Sequence, residues 1–185
     1  KAHRMAAAAA REIGTDATKV LVSSTGVIGV PLPIEKIEAG VVGMAADLQA
    51  DPMVGALGIM TTDTHPKVLS TRVGPATITV IAKGAGMIEP DMATMLAYVF
   101  TDAALDAQTL DGMLRRAVDV SLNMLSVDTD TSTSDTCAAL ANGLAGPVDN
   151  AAFEAALTSC LIRMAEIIAR DGEGAEHLVR VVVRE

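Results

Sequence analysis

The sequence predicts an α/β fold, a layered sandwich of helices on a mixed β-sheet, and three observations carry that expectation. Helical patterns alternate along the chain with short β-branched runs. Half of the 185 residues are apolar while aromatics are only 2%, so Val, Ile, Leu, Met and Ala have to fill the core, which suits closely packed helix-on-sheet layers. Near the end of the chain, Phe153, Leu157, Cys160, Leu161, Met164, Ile167 and Ile168 form one apolar stripe at helical spacing, a face made to pack on a sheet.

Taken in order, residues 2–13 are Ala-rich with Arg and Glu interspersed, a helix that Gly14 is placed to end. Residues 20–25 (VLVSST) are a strand candidate that stops at Gly26, and the GVIGVPLP that follows reads as a loop. Pro33 opens a helix running to about residue 48, with Ile34, Ile37, Val41, Val42 and Ala45 on one face. Within residues 55–66 lies a short apolar strand candidate that ends in a polar cluster, and residues 76–83 (ATITVIAK) alternate as a sheet strand should. A Gly-rich loop then leads to a strand over residues 94–103. Leu110, Met113, Leu114, Val118 and Leu122 mark an amphipathic helix, followed by the polar VDTDTSTSDT and a further helical stretch to about residue 144. Asn150 is a candidate cap for the striped helix, DGEG at residues 171–174 breaks it, and residues 178–183 (LVRVVV) read as a last strand.

The length suffices for one domain with a proper core, and a second complete domain is not expected. A net charge of −9 repels nucleic acid and anionic membranes, whose binding depends on clustered Lys and Arg, so small-molecule or protein partners are expected. Cys137 and Cys160 sit on helical patterns without redox or metal spacing and are expected as buried thiols. His3, His65 and His177 show no metal-ligand spacing, and none is expected to be catalytic. No stretch approaches the roughly 18 apolar residues of a membrane span, and residues 1–13 lack the apolar core of a signal peptide, which makes the reducing cytoplasm the default location.

Residues 83–95 read KGAGMIEPDMATM. A threonine where such a loop meets an apolar strand is by itself an ordinary surface residue. The run in full resembles the self-cleavage segment of the ornithine acetyltransferases, or bifunctional glutamate N-acetyltransferases, whose pattern is KG-x-GMI-x-P-x-MATM. Lys83, Gly84, Gly86, Met87, Ile88, Pro90, Met92, Ala93, Thr94 and Met95 all match, ten positions of thirteen. The resemblance extends to VSSTGVIGVPLPIEKI and IMTTDTHPK upstream and to DTDTSTSDT and ARDGEG downstream, and so covers essentially the whole chain.

The resemblance implies a DmpA/ornithine-acetyltransferase-like fold and a chain that cuts itself at Ala93–Thr94 and uses Thr94 as nucleophile. A hydroxyl needs a base to take its proton, and in threonine-nucleophile enzymes the freed α-amino group serves, with a pKa of roughly 8. That nitrogen is an amide until cleavage, so cutting is also activation. The mature Thr94 is then expected to carry acetyl from N-acetylornithine to glutamate in a ping-pong reaction of arginine biosynthesis. The resemblance places the oxyanion hole at the Thr25 hydroxyl and the Gly26 backbone N–H, and substrate contacts at Thr62, Lys83, Thr94 and Glu173. Read without the family, Thr25–Gly26 is a capped strand end with a flexible glycine, Lys83 a solvated charge and Glu173 a loop carboxylate.

No metal and no cofactor are implied, although acetyl-CoA serves some family members as an alternative donor. The two cleaved chains are expected to stay together and to form a homo-oligomer of heterodimers. Family members are about twice this length, so residues 1–174 are expected to be the central part of the catalytic domain and residues 175–185 the start of a C-terminal domain.

Asp128, Asp130 and Asp135 invite comparison with a calcium loop, but Thr133 stands at the sixth place where such a loop needs glycine, and no glutamate stands at the twelfth. The family segment reads DGDTSTND, and Thr129 and Ser134 replace its Gly and Asn. A structural role near the site is expected, with side chains satisfying loop backbone groups. Two other functions fit parts of the sequence: a threonine-nucleophile amidase or aminopeptidase of the same fold that gives its acyl group to water, and a non-catalytic acidic α/β ligand-binding domain.

Overall fold

The computed structural model describes residues 1–89 and 95–184. The chain divides into two compact units, Lys1–Asp51 and Pro52–Glu185. In the first, the Ala-rich opening forms α1 (Ala2–Ile13), because alanine loses no side-chain entropy in a helix. Gly14 ends it at φ 70 and its N–H donates to the Ala10 carbonyl. Helix α2 (Ile34–Gly40) starts behind Pro33 as expected but stops short of residue 48. Gly43 turns the chain at φ 82, and Met44–Asp47 form a separate tight 3-10 turn. Arg4 on α1 grips Glu38 on α2 with bonds of 2.8 and 2.5 Å, and Glu12 accepts the Gly43 N–H at 2.6 Å. The strand expected over residues 20–25 does not form; that segment is irregular and belongs to no sheet among the described residues. Its β-branched residues favour a strand only where a sheet edge accepts them.

The second unit is built on a four-stranded sheet in the order β1 (Lys67–Val73), β2 (Ala76–Lys83), β3 (Leu96–Ala103) and β4 (Thr136–Gly146). β1 pairs with β2 and β2 with β3 antiparallel, whereas β3 and β4 run parallel, so the sheet is mixed as expected. β2 and β3 lie where the sequence placed strands, with Lys83 opposite Leu96. β1 was not anticipated. It joins β2 through the two-residue turn Gly74–Pro75, with Val73 opposite Ala76, and Gly74 supplies the positive φ of 57 that such a hairpin needs at its first turn position.

Two further expectations change. Residues 55–59 belong to α3 (Pro52–Ile59) rather than to a strand; Pro52 occupies the first helical position, where a missing N–H costs nothing. α3 packs against β2, with Gly55 facing Ile81. Residues 137–144 form β4 rather than a helix, because pairing along β3 outweighs the helix propensity of an Ala- and Leu-rich run. Cys137 therefore sits half-buried on a strand, its thiol pushed up to about 12 by burial, and Cys160 is buried on a helix. Parallel pairing of β3 and β4 demands a crossover, which contains α4 (Ala107–Asp119), capped by Asp106 accepting the Thr109 N–H at 2.9 Å.

α5 (Asn150–Arg170) is capped by Asp149, not Asn150, and buries the predicted stripe of Phe153, Leu157, Cys160, Leu161, Met164 and Ile168, with Ile167 half-buried. These side chains join Leu110, Met113, Leu114, Ala117 and Val118 of α4 over Ile78, Val80, Ala97 and Val99 of the sheet in one core. Residues 175–184 carry no strand, and Val179, Val181, Val182 and Val183 are exposed. No helix among the described residues is long and apolar enough to cross a membrane.

Thr129 adopts φ 64, a left-handed geometry that costs a β-branched residue roughly 1–2 kcal/mol. Glycine removes that strain and adds about 0.5–1 kcal/mol of backbone entropy cost. Thr129→Gly is therefore expected to raise stability by up to about 1 kcal/mol, read as a higher Tm of the full-length protein.

Candidate active site

Three charges are buried where β1 begins. The Lys67 ammonium, 1% exposed, donates to Asp63 at 2.6 Å and to Asp171 at 2.5 Å, and both carboxylates are themselves buried. A buried ammonium requires such partners, since unpaired it would lose several kcal/mol of hydration. Asp63 also accepts the Gly84 N–H at 2.7 Å and the Thr61 N–H at 3.2 Å. Asp171 accepts the Thr64 N–H at 3.0 Å and the Thr64 hydroxyl, and His65 Nδ1 lies 3.4 Å away. Burial pushes both carboxyls up, but these hydrogen bonds outweigh it and hold each below the usual carboxylate range.

Lys83 ends β2 beside this cluster and is 3% exposed. Burial pulls its ammonium below the usual lysine range, opposed by the charges of Asp63, Asp135 and Glu173, while Lys67 adds to the lowering. The chain after Lys83 is held by carboxylates from two other loops. The Glu173 backbone N–H donates to the Ala85 carbonyl at 2.6 Å. The Glu173 carboxylate lies so close over Gly86 that a Cβ there would sit 2.1 Å from Oε2, and any larger residue would displace the Glu173 side chain. Asp128 accepts the N–H groups of Met87 at 2.5 Å and Ile88 at 3.0 Å, and Val127 N–H donates to the Ile88 carbonyl at 2.8 Å. Beyond the undescribed residues, Asp135 Oδ1 accepts the Met95 N–H, and Thr136 N–H returns to the Met95 carbonyl at 3.0 Å. Burial raises the Asp135 carboxyl, and its buried Oδ2 has no hydrogen-bond partner among the described residues. Both flanks of the segment are thus pinned from VDTDTSTSDT, the backbone-satisfying role its side chains were expected to play.

Of the predicted site residues, Lys83 ends β2, Glu173 lies over Gly86 three residues further on, and exposed Thr62 sits in the loop that Asp63 ties to Gly84. Thr25 and Gly26 lie in the first unit, in the irregular segment before a turn closed by Val30 N–H to Val27 O at 3.3 Å; Thr25 is half-buried and Gly26 exposed. Ala93 and Thr94, the expected cleavage site and nucleophile, fall outside the described residues. Sequence reasoning passed over Asp63, Lys67 and Asp171 as members of the site. Their signal was present, since TTDTHPK and ARDGEG are polar runs beside apolar elements, but nothing in their spacing announces an ion triad.

Lys67→Met tests the triad. Removing the ammonium leaves two buried carboxylates unpaired and is expected to cost about 3–5 kcal/mol at neutral pH. The native contribution of the depressed carboxyls is present above about pH 4 and is lost as pH falls through their lower folded values. In the variant the unpaired carboxyls prefer protonation. Denaturant unfolding of the full-length protein should therefore show a deficit that narrows as pH falls toward 4.

Comparison with known proteins identifies relatives of the chain. The model of the ArgJ family matches residues 1–185. The arginine biosynthesis bifunctional protein ArgJ 2 of Nostoc sp. is 53% identical over 175 residues, which covers 94% of this chain and 45% of the relative. The arginine biosynthesis bifunctional protein ArgJ of Rhodococcoides fascians is 48% identical over 98% of this chain and 45% of its own length. The glutamate N-acetyltransferase Oat2 of Streptomyces clavuligerus is 47% identical over 95% and 45% respectively. The chain spans under half the length of these relatives. Matched along its whole length, and carrying a KGAGMIEPDMATM segment whose two flanks are pinned by carboxylates, the chain belongs to the ArgJ family.

Proposed function

We propose that this chain is the central part of an acetyltransferase that moves an acetyl group from N-acetylornithine to glutamate through an acetyl-Thr94 intermediate, after self-cleavage at Ala93–Thr94. The observation that carries the reading is the ten-position match over residues 83–95 on a connection between two paired strands, each end of it held by a carboxylate. Two of the named relatives are bifunctional proteins of arginine biosynthesis and one is a glutamate N-acetyltransferase.

In the cleavage step Thr94 Oγ adds to the Ala93 carbonyl carbon, the Ala93–Thr94 C–N bond breaks, and the α-nitrogen leaves as an amine. Water hydrolyses the resulting ester, so that Ala93 ends one chain and Thr94 begins the other. In turnover the freed amine takes the Oγ proton while Oγ attacks the acetyl carbon of N-acetylornithine, and passes that proton to the departing ornithine nitrogen. The glutamate amine then attacks the acetyl ester and Thr94 Oγ leaves with a proton. Thr25 Oγ and the Gly26 N–H serve as the oxyanion donors. Lys83 receives a substrate α-carboxylate with Thr62 beside its loop, and Glu173 attracts the second ammonium of ornithine. No cofactor takes part; acetyl-CoA enters only as an alternative donor.

β2 and β3 are neighbours in one sheet, so a cut between them leaves each product with one strand of a shared ladder and supports lasting association of the two chains as a heterodimer. Pairing of such heterodimers into a homo-oligomer and a cytoplasmic location complete the proposal.

Intact mass and N-terminal sequencing of the full-length protein should show two fragments meeting at Ala93/Thr94. One uncut chain in a fully active preparation would falsify the scheme. Thr94→Ala is expected to abolish both cleavage and transfer, and Thr94→Ser to keep some of each. Ornithine release should depend on glutamate; release at full rate with water alone would indicate a hydrolase instead. Thr25→Ala, by removing one oxyanion donor, is expected to lower kcat by about 10²–10³-fold.

A further inference from the structure

Lys83 is a charged group in a place hostile to charge, and what sustains it comes from a loop distant in sequence. The charges that act on it are those of Asp63, Asp135 and Glu173, which favour its charged form, and of Lys67, which opposes it. Of the three carboxylates, Asp63 alone is both buried and fixed on every side: it takes the Lys67 ammonium, the Thr61 N–H and the N–H of Gly84, the residue next to Lys83. Glu173 is exposed, and one oxygen of Asp135 is committed to Met95. The formal charges of Asp63, Lys67 and Asp171 sum to −1, opposite to Lys83. Asp171 holds the same Lys67 ammonium through a second bond.

We propose that Asp63 is a positioning residue for substrate binding: braced by Lys67 and Asp171, it fixes the end of β2 through the Gly84 N–H and supplies the counter-charge that lets the Lys83 ammonium stay buried and ready for a substrate carboxylate. The arrangement gives the two aspartates separate duties although both bind the same lysine. Asp63 acts on Lys83, and Asp171 acts on Asp63 by keeping Lys67 charged. The functional consequence rests on the proposed reading of Lys83 as a carboxylate contact, whereas the electrostatic consequence does not.

The test compares Asp63→Asn with Asp171→Asn in the full-length protein. Each keeps the shape and loses one buried carboxylate, so a purely structural role predicts similar lowering of Tm and no selective change at Lys83. The Lys83 titration is followed by the ¹³Cε resonance of lysine-labelled protein, assigned by its loss in Lys83→Arg. Asp63→Asn should move the Lys83 midpoint down by about one pH unit, while Asp171→Asn, whose lost charge lies behind Lys67, should move it by clearly less. Equal shifts in both variants, or none in either, overturn the proposal. In parallel, KM for glutamate should begin to rise at a correspondingly lower pH in Asp63→Asn, with kcat changed less than KM. A moved resonance with an unmoved KM profile leaves the electrostatic role of Asp63 standing and removes the substrate role of Lys83 from the proposed function.

Discussion

An ammonium group taken out of water loses several kcal/mol unless close, well-oriented anions replace its hydration. Lys67 meets that condition with two aspartates, and almost everything at this end of the sheet depends on how it does so. One aspartate comes from the loop before β1, the other from the end of α5, and the lysine is the first residue of β1. The three together fasten a strand start, a helix end and, through the Gly84 N–H, the end of β2. A hydrophobic cluster could hold these pieces equally well. It could not leave a net negative charge beside Lys83.

The same economy of means governs the segment that follows. Carboxylates of Asp63 and Asp128 accept backbone N–H groups of residues 84, 87 and 88, and Asp135 accepts that of Met95. The segment is anchored by the buried Ile88 and Met95 side chains, and its backbone N–H groups are satisfied from outside. Two acidic runs far apart in sequence, around residues 63 and 128–135, therefore converge on one loop. The strong negative charge of the chain is in part the result of using acids as backbone acceptors.

The sequence revealed some of this well and some not at all. α1 and α5 were legible because their patterns are long and periodic, and Gly14 and the apolar stripe marked an end and a face. β2 and β3 were legible because alternation and β-branching coincided there. β4 was misread, since CAALANGLAG has a helix-former's composition and only the neighbouring β3 makes it a strand; local preference cannot report a partner 40 residues away in a ladder that joins Leu96 to Thr136. Short apolar runs failed in both directions: residues 55–59 became helix, and residues 20–25 and 178–183 found no sheet among the described residues. At the site, Lys83 and Glu173 were reached through the motif, whereas Asp63, Lys67 and Asp171 were not. An ion triad closes through space over about a hundred residues of chain and leaves no spacing to read.

The hairpin-like neighbours β2 and β3 have a consequence for the life history of the molecule. In an uncut chain their encounter is an intramolecular event, limited only by closure of a short loop. With the proposed cut at Ala93–Thr94 made, the same ladder would join separate polypeptides, and its re-formation from denatured material would become second order in protein, with a melting point that drifts with dilution. The proposed cleavage would thereby give assembly a one-way order, with folding first in the uncut chain and cutting after it.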